Sequence, residues 1–197
     1  MSAAPGEKWT IILDAAYRLF GTKGFYETKM SEIADEAGIA KGTLYLYFSS
    51  KEELFTAMTK RDHDRFLSQL QRMLQPDNSL QEQLHAVASH HLSYYFGVKN
   101  YPRLFFQAPN SDQALMEMMH AFRRNYMSII ASMLEAAGIE EPHLHGASFI
   151  GILEVFKMDI LTAKTFTDAD LQRRIAFAVR LFHDGCGGAL REQRESP

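Results

Sequence analysis

An all-α protein of about nine helices is what the sequence predicts, and three observations carry the prediction. Apolar residues recur at three- and four-residue spacing along most of the chain, alternating strand patterns are nearly absent, and glycines or prolines close several of the periodic stretches. The 197 residues are 46% hydrophobic and 23% charged, which fits one or two soluble globular domains. Six prolines and 12 glycines exclude a collagen-like or Pro/Gly-rich disordered chain. The single cysteine, Cys186, excludes an internal disulfide and any paired-cysteine zinc or redox motif. No apolar run reaches membrane-spanning length, and Met1 to Lys8 lack the apolar core of a signal peptide, so a cytoplasmic protein without membrane contact is expected.

Taken in order, Ile12, Ala15, Ala16, Leu19 and Phe20 form one face of a first helix, which Gly21 and Gly24 end near Thr22. Thr28 is a candidate N-cap for a short second helix with Ile33, Ala34 and Ala37 as its buried face, closed by Gly38. A third helix spans about 40–47. Ser50 and Glu53 have capping-box spacing at the start of a long fourth helix that Pro76 stops. Ser79 caps a fifth helix ending near Gly97, and a short helix with a turn is expected within 101–110. Ser111-Asp112 starts a seventh helix ending at Gly138, Pro142 begins an eighth reaching about Lys164, and Asp168 opens a last helix that should end before Gly185.

Three short helices with a glycine between the second and third suggest a helix-turn-helix, although an ordinary helical hairpin shares the pattern. Ala34 and Gly38 supply the small residue and the unstrained turn that close helix packing needs, and Leu44 faces back to the core. The stretch from Ile33-Ala34 through Ala37-Gly38-Ile39-Ala40-Lys41-Gly42-Thr43-Leu44-Tyr45, Tyr47-Phe48 and Ser50-Lys51-Glu52 to Leu54 resembles the signature of the tetracycline-repressor (TetR) family of bacterial transcription regulators. The resemblance reaches back through Ile12-Leu13-Asp14-Ala15-Ala16, Leu19-Phe20 and Gly24-Phe25, about residues 9–57. It implies a DNA-binding domain over 1–50, an all-helical ligand-binding and dimerisation domain over 51–197, and a homodimer.

The residues of the third helix suit a major groove. Lys41 and Thr43 stand at its exposed start, Gly42 allows close backbone approach, and Thr43 can meet a thymine methyl or a polar edge. Tyr47 resembles the family's phosphate-contacting tyrosine, and Tyr45 is a second contact candidate with half-buried packing as its alternative. Lys51 in the first turn of helix four, and Thr28 and Lys29 at the start of helix two, are candidates for the DNA backbone. Residues 1–51 carry six basic and six acidic groups, so weak non-specific DNA binding is expected.

Aromatic residues and methionines crowd residues 90–133. Tyr94, Tyr95, Phe105, Phe106, Met116, Met119, Phe122 and Tyr126 are candidates for an apolar or aromatic effector, with an ordinary core as the alternative for each. Phe149, Leu153, Phe156 and Ile160 stripe the penultimate helix, and Leu171, Ile175, Ala178, Val179 and Phe182 the last. These two helices are the candidate dimer interface, with packing inside a single chain as the alternative. His90-His91 point to different faces, and His85, His120, His143 and His145 lack a convincing ligand set, so neither metal nor cofactor is expected. No nucleophile elbow, metal-protease helix or phosphate loop is present, and the expectation is a non-enzyme. The reading is therefore a repressor that binds a palindromic DNA operator as a homodimer and is released by a small hydrophobic effector. A metal-sensing regulator and a helical enzyme on an apolar substrate are the alternatives.

Overall fold

In a computed structural model, backbone is described for residues 5–109 and 113–194 and side chains for 6–109 and 113–185. The described residues form nine helices and no strand: α1 (Pro5–Lys23), α2 (Met30–Glu36), α3 (Lys41–Tyr47), α4 (Lys51–Met73), α5 (Leu80–Gly97), α6 (Arg103–Phe106), α7 (Gln113–Ala136), α8 (Pro142–Thr162) and α9 (Asp168–Arg194). The expected Ser111-Asp112 cap lies outside the described residues. Two compact units divide the chain, one of Met1–Arg65 with Asn100–Phe122, the other of Phe66–Lys99 with Arg123–Pro197.

The first unit is built on α1. Its Ile12, Leu13, Ala16 and Phe20 are fully buried with Ile33 of α2, Leu44 of α3 and Leu54 of α4. Phe20, Phe25 and Phe55 form a ring triangle with centroids 5.3–5.5 Å apart. This core extends past residue 50, because Leu54, Phe55 and Met58 of α4, Leu104 of α6 and Leu115 of α7 belong to it. Tyr101 lies against α1 at Gly21, where a Cβ would stand 2.5 Å from the tyrosine ring.

Two glycines set the turns of this unit. Gly24, at φ +94°, ends α1 with its N–H on Phe20 O at 3.0 Å. Gly38, at φ +64°, closes α2: its N–H donates to Asp35 O at 3.1 Å, and the Ile39 N–H donates to Ala34 O at 3.0 Å. This paired bonding is the Schellman ending that a left-handed residue permits. The expected Thr28 cap differs. α2 starts one residue later, its entry being held by Glu32 Oε2 accepting from the Lys29 N–H at 2.9 Å.

The second unit centres on α5, α8 and α9, with Leu84, Leu92, Ile130, Leu134, Phe149 and Leu153 fully buried. Ser79 and Glu82 make the expected capping box of α5. Gly138, at φ +78°, ends α7 as Gly38 ends α2, with Gly138 N–H on Glu135 O and Ile139 N–H on Leu134 O. Arg174 of α9 holds Asp159 of α8 through Nε and Nη2 at 3.1 and 3.0 Å. The α9 stripe Leu171, Ile175, Ala178, Val179 and Phe182 is buried within the chain itself, as the Phe149–Phe182 ring contact at 4.8 Å illustrates. Among the described residues, the exposed large apolar side chains of these two helices are instead Leu144, Val155, Met158, Phe177 and Leu181. α9 also continues to Arg194 rather than stopping before Gly185: a glycine weakens a helix by about 1 kcal/mol, but ends one only where it turns left-handed.

Candidate nucleic-acid interface and aromatic cluster

α3 is amphipathic in a way its seven residues make legible. Leu44 is fully buried and Phe48, its C-cap, nearly so, which pins one side of the helix to the core. Lys41, Gly42 and Tyr45 are exposed, Thr43 and Tyr47 half-buried. The Lys41 ammonium lies 5.9 Å from the Tyr45 ring centroid, so the two candidates share one flank. Leu46, not singled out from the sequence, is 85% exposed. Its only signal was its position between two tyrosines on a helix whose core residues were already accounted for.

Thr28 and Lys51 work inside the unit. Thr28 is 1% exposed, and its hydroxyl donates to Gly24 O at 2.7 Å, with Leu19 O at 3.4 Å. Lys51 turns its ammonium onto the carbonyls of Phe25 at 2.8 Å, Thr28 at 3.0 Å and Tyr26 at 3.4 Å, 4.5 Å from the Phe25 ring centroid. A flexible cation near a helix start reads as a phosphate ligand in sequence; here it closes the turn that sets the angle between α1 and α2. Lys29 is exposed. Glu53, expected to cap back to Ser50, accepts from the Ser49 N–H and hydroxyl at 2.7 and 2.6 Å, while its own N–H donates to Ser50 Oγ at 3.1 Å. These bonds hold the Glu53 carboxyl below its ordinary pKa.

The effector candidates divide between the units. In the first, Phe122 stacks on His63 with centroids 3.9 Å apart, Phe105 is half-buried, and Phe106, Met116 and Met119 are exposed. His63 Nδ1 is buried without a hydrogen-bond partner, and burial pulls the His63 pKa down to about 4.

In the second unit Tyr94, Tyr95 and Tyr126 do converge, around Phe66 and His91. Phe66 meets Tyr94 and Tyr126 edge-on at 5.4 Å, and Tyr94 meets Tyr95 at 5.1 Å. His91 is 2% exposed, with Nδ1 3.0 Å from the Tyr126 hydroxyl; which atom donates follows the imidazole tautomer. Its Nε2 is buried with no hydrogen-bond partner, 3.6 Å from Glu154 Oε1. Glu154 is ion-paired to Lys157, whose ammonium lies 5.1 Å from the Tyr95 ring centroid. Burial, then the positive charges of Lys157 and His90, lower the His91 pKa to about 3, and burial raises that of Tyr126. A polar strip thus crosses an apolar core. Sequence showed its parts, adjacent histidines among tyrosines, but not the role of Glu154 and Lys157, which lie one helical turn apart on α8.

A cleft of about 720 Å³ lies elsewhere in the second unit, between the end of α4, the turn after it and α7. Gln71, Gln75, Asn78, Gln83, Ser128 and Ser132 are among its walls, and none of the aromatic candidates lines it. Among the described residues no group of three or more His, Cys, Asp or Glu could hold a metal ion, and no helix is long and apolar enough to cross a membrane.

Residues 12–58 match the family of bacterial regulatory proteins described as the tetR family. Over 128 residues the chain is 27% identical to the fatty acid metabolism regulator protein of Bacillus subtilis, covering 64% of this chain and 66% of that one. It is 37% identical over 75 residues to the transcriptional activator FasR of Mycolicibacterium smegmatis, covering 38% and 34%. The matched stretches therefore span less than two thirds of these relatives, which are named as regulators and not as enzymes. Over 91% of this chain and 97% of the other, the structure superposes on a TetR-like transcriptional regulator from Rhodococcus sp. RHA1 with TM-score 0.72 and 27% identity. Against the Bacillus subtilis regulator FadR, solved with stearoyl-CoA, the TM-score is 0.75 at 22% identity over 88% and 97%, a likeness of fold. The tetR-family match over residues 12–58 and the superposition on TetR-like regulators over most of the chain lead to one conclusion: the chain carries a tetR-family helix-turn-helix segment within a TetR-like helical fold.

Proposed function

We propose that this protein is a ligand-responsive repressor that binds a palindromic operator as a homodimer in the cytoplasm and leaves it when a hydrophobic effector binds. The observation that carries the reading is the division of α3, with Leu44 and Phe48 in the core and Lys41, Gly42, Thr43 and Tyr45 on the open side. Such a helix, braced by α2 through the Gly38 turn, enters a major groove with its N-terminal residues on base edges. Residues 1–50 form the DNA-reading segment and 51–197 serve effector binding and dimerisation. Lys41, Thr43 and Tyr45 read bases, Tyr47 and Lys29 hold phosphates, and Thr28 and Lys51 act through the backbone geometry of residues 24–29.

A seven-residue helix reads few bases, so two are paired. The exposed apolar residues Val155 and Met158 of α8 and Phe177 and Leu181 of α9 suit a second copy of the chain, with the reading heads ~34–36 Å apart. Changing Phe177 and Leu181 together to glutamate is expected to give a folded monomer in sedimentation that has lost operator binding.

Tyr94, Tyr95 and Tyr126 are the effector candidates of the second unit, and Phe105, Phe106, Met116, Met119 and Phe122 those of the first. The name of the Bacillus relative and the ligand of FadR favour a long acyl chain as the effector class. An effector that prefers the non-DNA conformation by ~1.4 kcal/mol shifts the equilibrium tenfold.

The test is selection from a random double-stranded DNA pool, with a Lys41→Ala, Tyr47→Ala double variant as control. A two-fold symmetric site recovered by the wild type alone supports the reading, and release of that site by stearoyl-CoA supports the effector class. Enrichment of no sequence by folded dimer, freed of any co-purified ligand, overturns it.

A further inference from the structure

Leu46 is the most exposed large apolar side chain among those described, at 85%. Single exposed leucines are common on protein surfaces, so exposure alone means little. Its place on α3 is what counts. At about 100° per residue, Leu46 and Gly42 lie about 200° and 160° around the helix from Leu44, the residue that points into the core. They occupy one ridge, four residues apart, on the side facing directly away from the protein. Gly42 leaves its half of that ridge bare: a Cβ placed there would have no heavy atom within 4 Å. Tyr45 and Thr43 flank the ridge on either side, and Lys41 stands beside Tyr45. Whatever α3 docks into therefore meets Leu46 first.

We infer that Leu46 is a specificity-determining residue that recognises the 5-methyl group of a thymine in the operator's major groove. The inference rests on the DNA-binding reading and refines it. An isobutyl side chain neither donates nor accepts hydrogen bonds. The groove edges of guanine, adenine and cytosine offer polar atoms that it would strip of water without replacing the lost bonds. The pyrimidine 5-methyl is the apolar feature of that groove, and burying it against Leu46 discriminates in proportion to the area removed from water. Gly42 contributes by letting the helix backbone come close enough for a short side chain one turn later to reach the base edge.

The test uses the operator recovered by selection, with each thymine replaced in turn by deoxyuridine, which removes the methyl and nothing else. Wild-type protein is expected to lose about four-fold in affinity per half-site at one thymine, the worth of one buried methyl. Leu46→Ala should lose that discrimination at the same position and no other, with an unchanged melting temperature because the residue is exposed. Leu46→Met should keep it. A 5-methylcytosine at that position should bind about four-fold better than unmodified cytosine, which separates the methyl from the rest of the base. An operator on which no thymine-to-uracil change matters, or on which Leu46→Ala keeps the full discrimination, overturns the inference and leaves the DNA-binding reading standing. Failure to recover any operator defeats that reading and this inference with it.

Discussion

Thr28 and His91 are the buried polar side chains among the described residues, one in each compact unit, and they are treated in opposite ways. The Thr28 hydroxyl has its carbonyl acceptors, and Lys51 adds three more bonds to the same turn. His91 has one partnered nitrogen and one without, facing a carboxylate 3.6 Å away. A satisfied buried group fixes one geometry. A buried group left without a partner costs about 1–3 kcal/mol, which returns when a ligand or a rearrangement supplies the missing bond. The contrast is local to the turn at residues 24–29 and to α5, because Thr56 Oγ1 and His63 Nδ1 of the first unit are also buried without a hydrogen-bond partner.

The largest break in this comparison comes from Lys51→Met. It removes the donor from the carbonyls of Phe25, Tyr26 and Thr28 while keeping most of the apolar stem. Hydrogen bonds to a charged group contribute about 1.5–3 kcal/mol, so a loss of ~2 kcal/mol in urea unfolding is expected. Operator affinity should fall alike for every sequence, because the angle of α2 and α3 is disturbed rather than one base contact. Unchanged stability combined with lost DNA affinity would instead make Lys51 a phosphate ligand.

The effect of pH sharpens the comparison from the other side. His91 and His63 have folded-state pKa values lowered to about 3 and about 4, chiefly by burial. A lowered histidine pKa means the unfolded chain binds more protons between the folded and unfolded values. The stability is present above about pH 6.5 and is lost as pH falls toward the folded value. At pH 5 each such histidine has given up ~2 kcal/mol relative to pH 7.5. Glu32, Glu53, Glu82 and Asp170 have lowered values too, but their contribution is lost only below about pH 4.5, outside this interval. Asp62, raised by burial, opposes the slope slightly. His91→Phe should therefore lessen the fall in unfolding midpoint between pH 7.5 and 5, by less than half because His90, whose pKa burial also lowers, shares the slope with His63. An unaltered slope would show that His91 is not buried and neutral.

Where the sequence was legible, a short-range signal had a single physical meaning. Gly38-Ile39 and Gly138-Ile139 end helices by the same pair of backbone bonds, and Ser79 with Glu82 can do little but cap. Leu44 and Phe48 were identifiable as core by spacing alone. Signals with two meanings were misread. A threonine before a helix caps it or binds a carbonyl behind it, and Thr28 does the second. An apolar stripe on the last helix covers its own domain or a partner, and Leu171, Ile175, Ala178, Val179 and Phe182 do the first, leaving Phe177 and Leu181 outside. Glu154 and Lys157 were illegible because their importance comes only from His91, which lies 63 residues earlier in the chain.

The smallest expected effect separates folding from function most cleanly. Gly42 lies in a helix, has no positive φ, and a Cβ there would touch nothing within 4 Å. Gly42→Ala should therefore stabilise the protein by ~0.5–1 kcal/mol, because alanine loses less backbone freedom in a helix than glycine does. If α3 lies in a groove with Gly42 toward its floor, the added methyl holds the backbone off the bases and operator affinity falls as thermal stability rises. A thermal melt and a binding titration on one preparation decide it. Stability and affinity rising together would place the outer ridge of α3 away from the DNA, and Leu46 with it. Opposite signs would show that the glycine is kept for the approach to DNA at the expense of the helix that carries it.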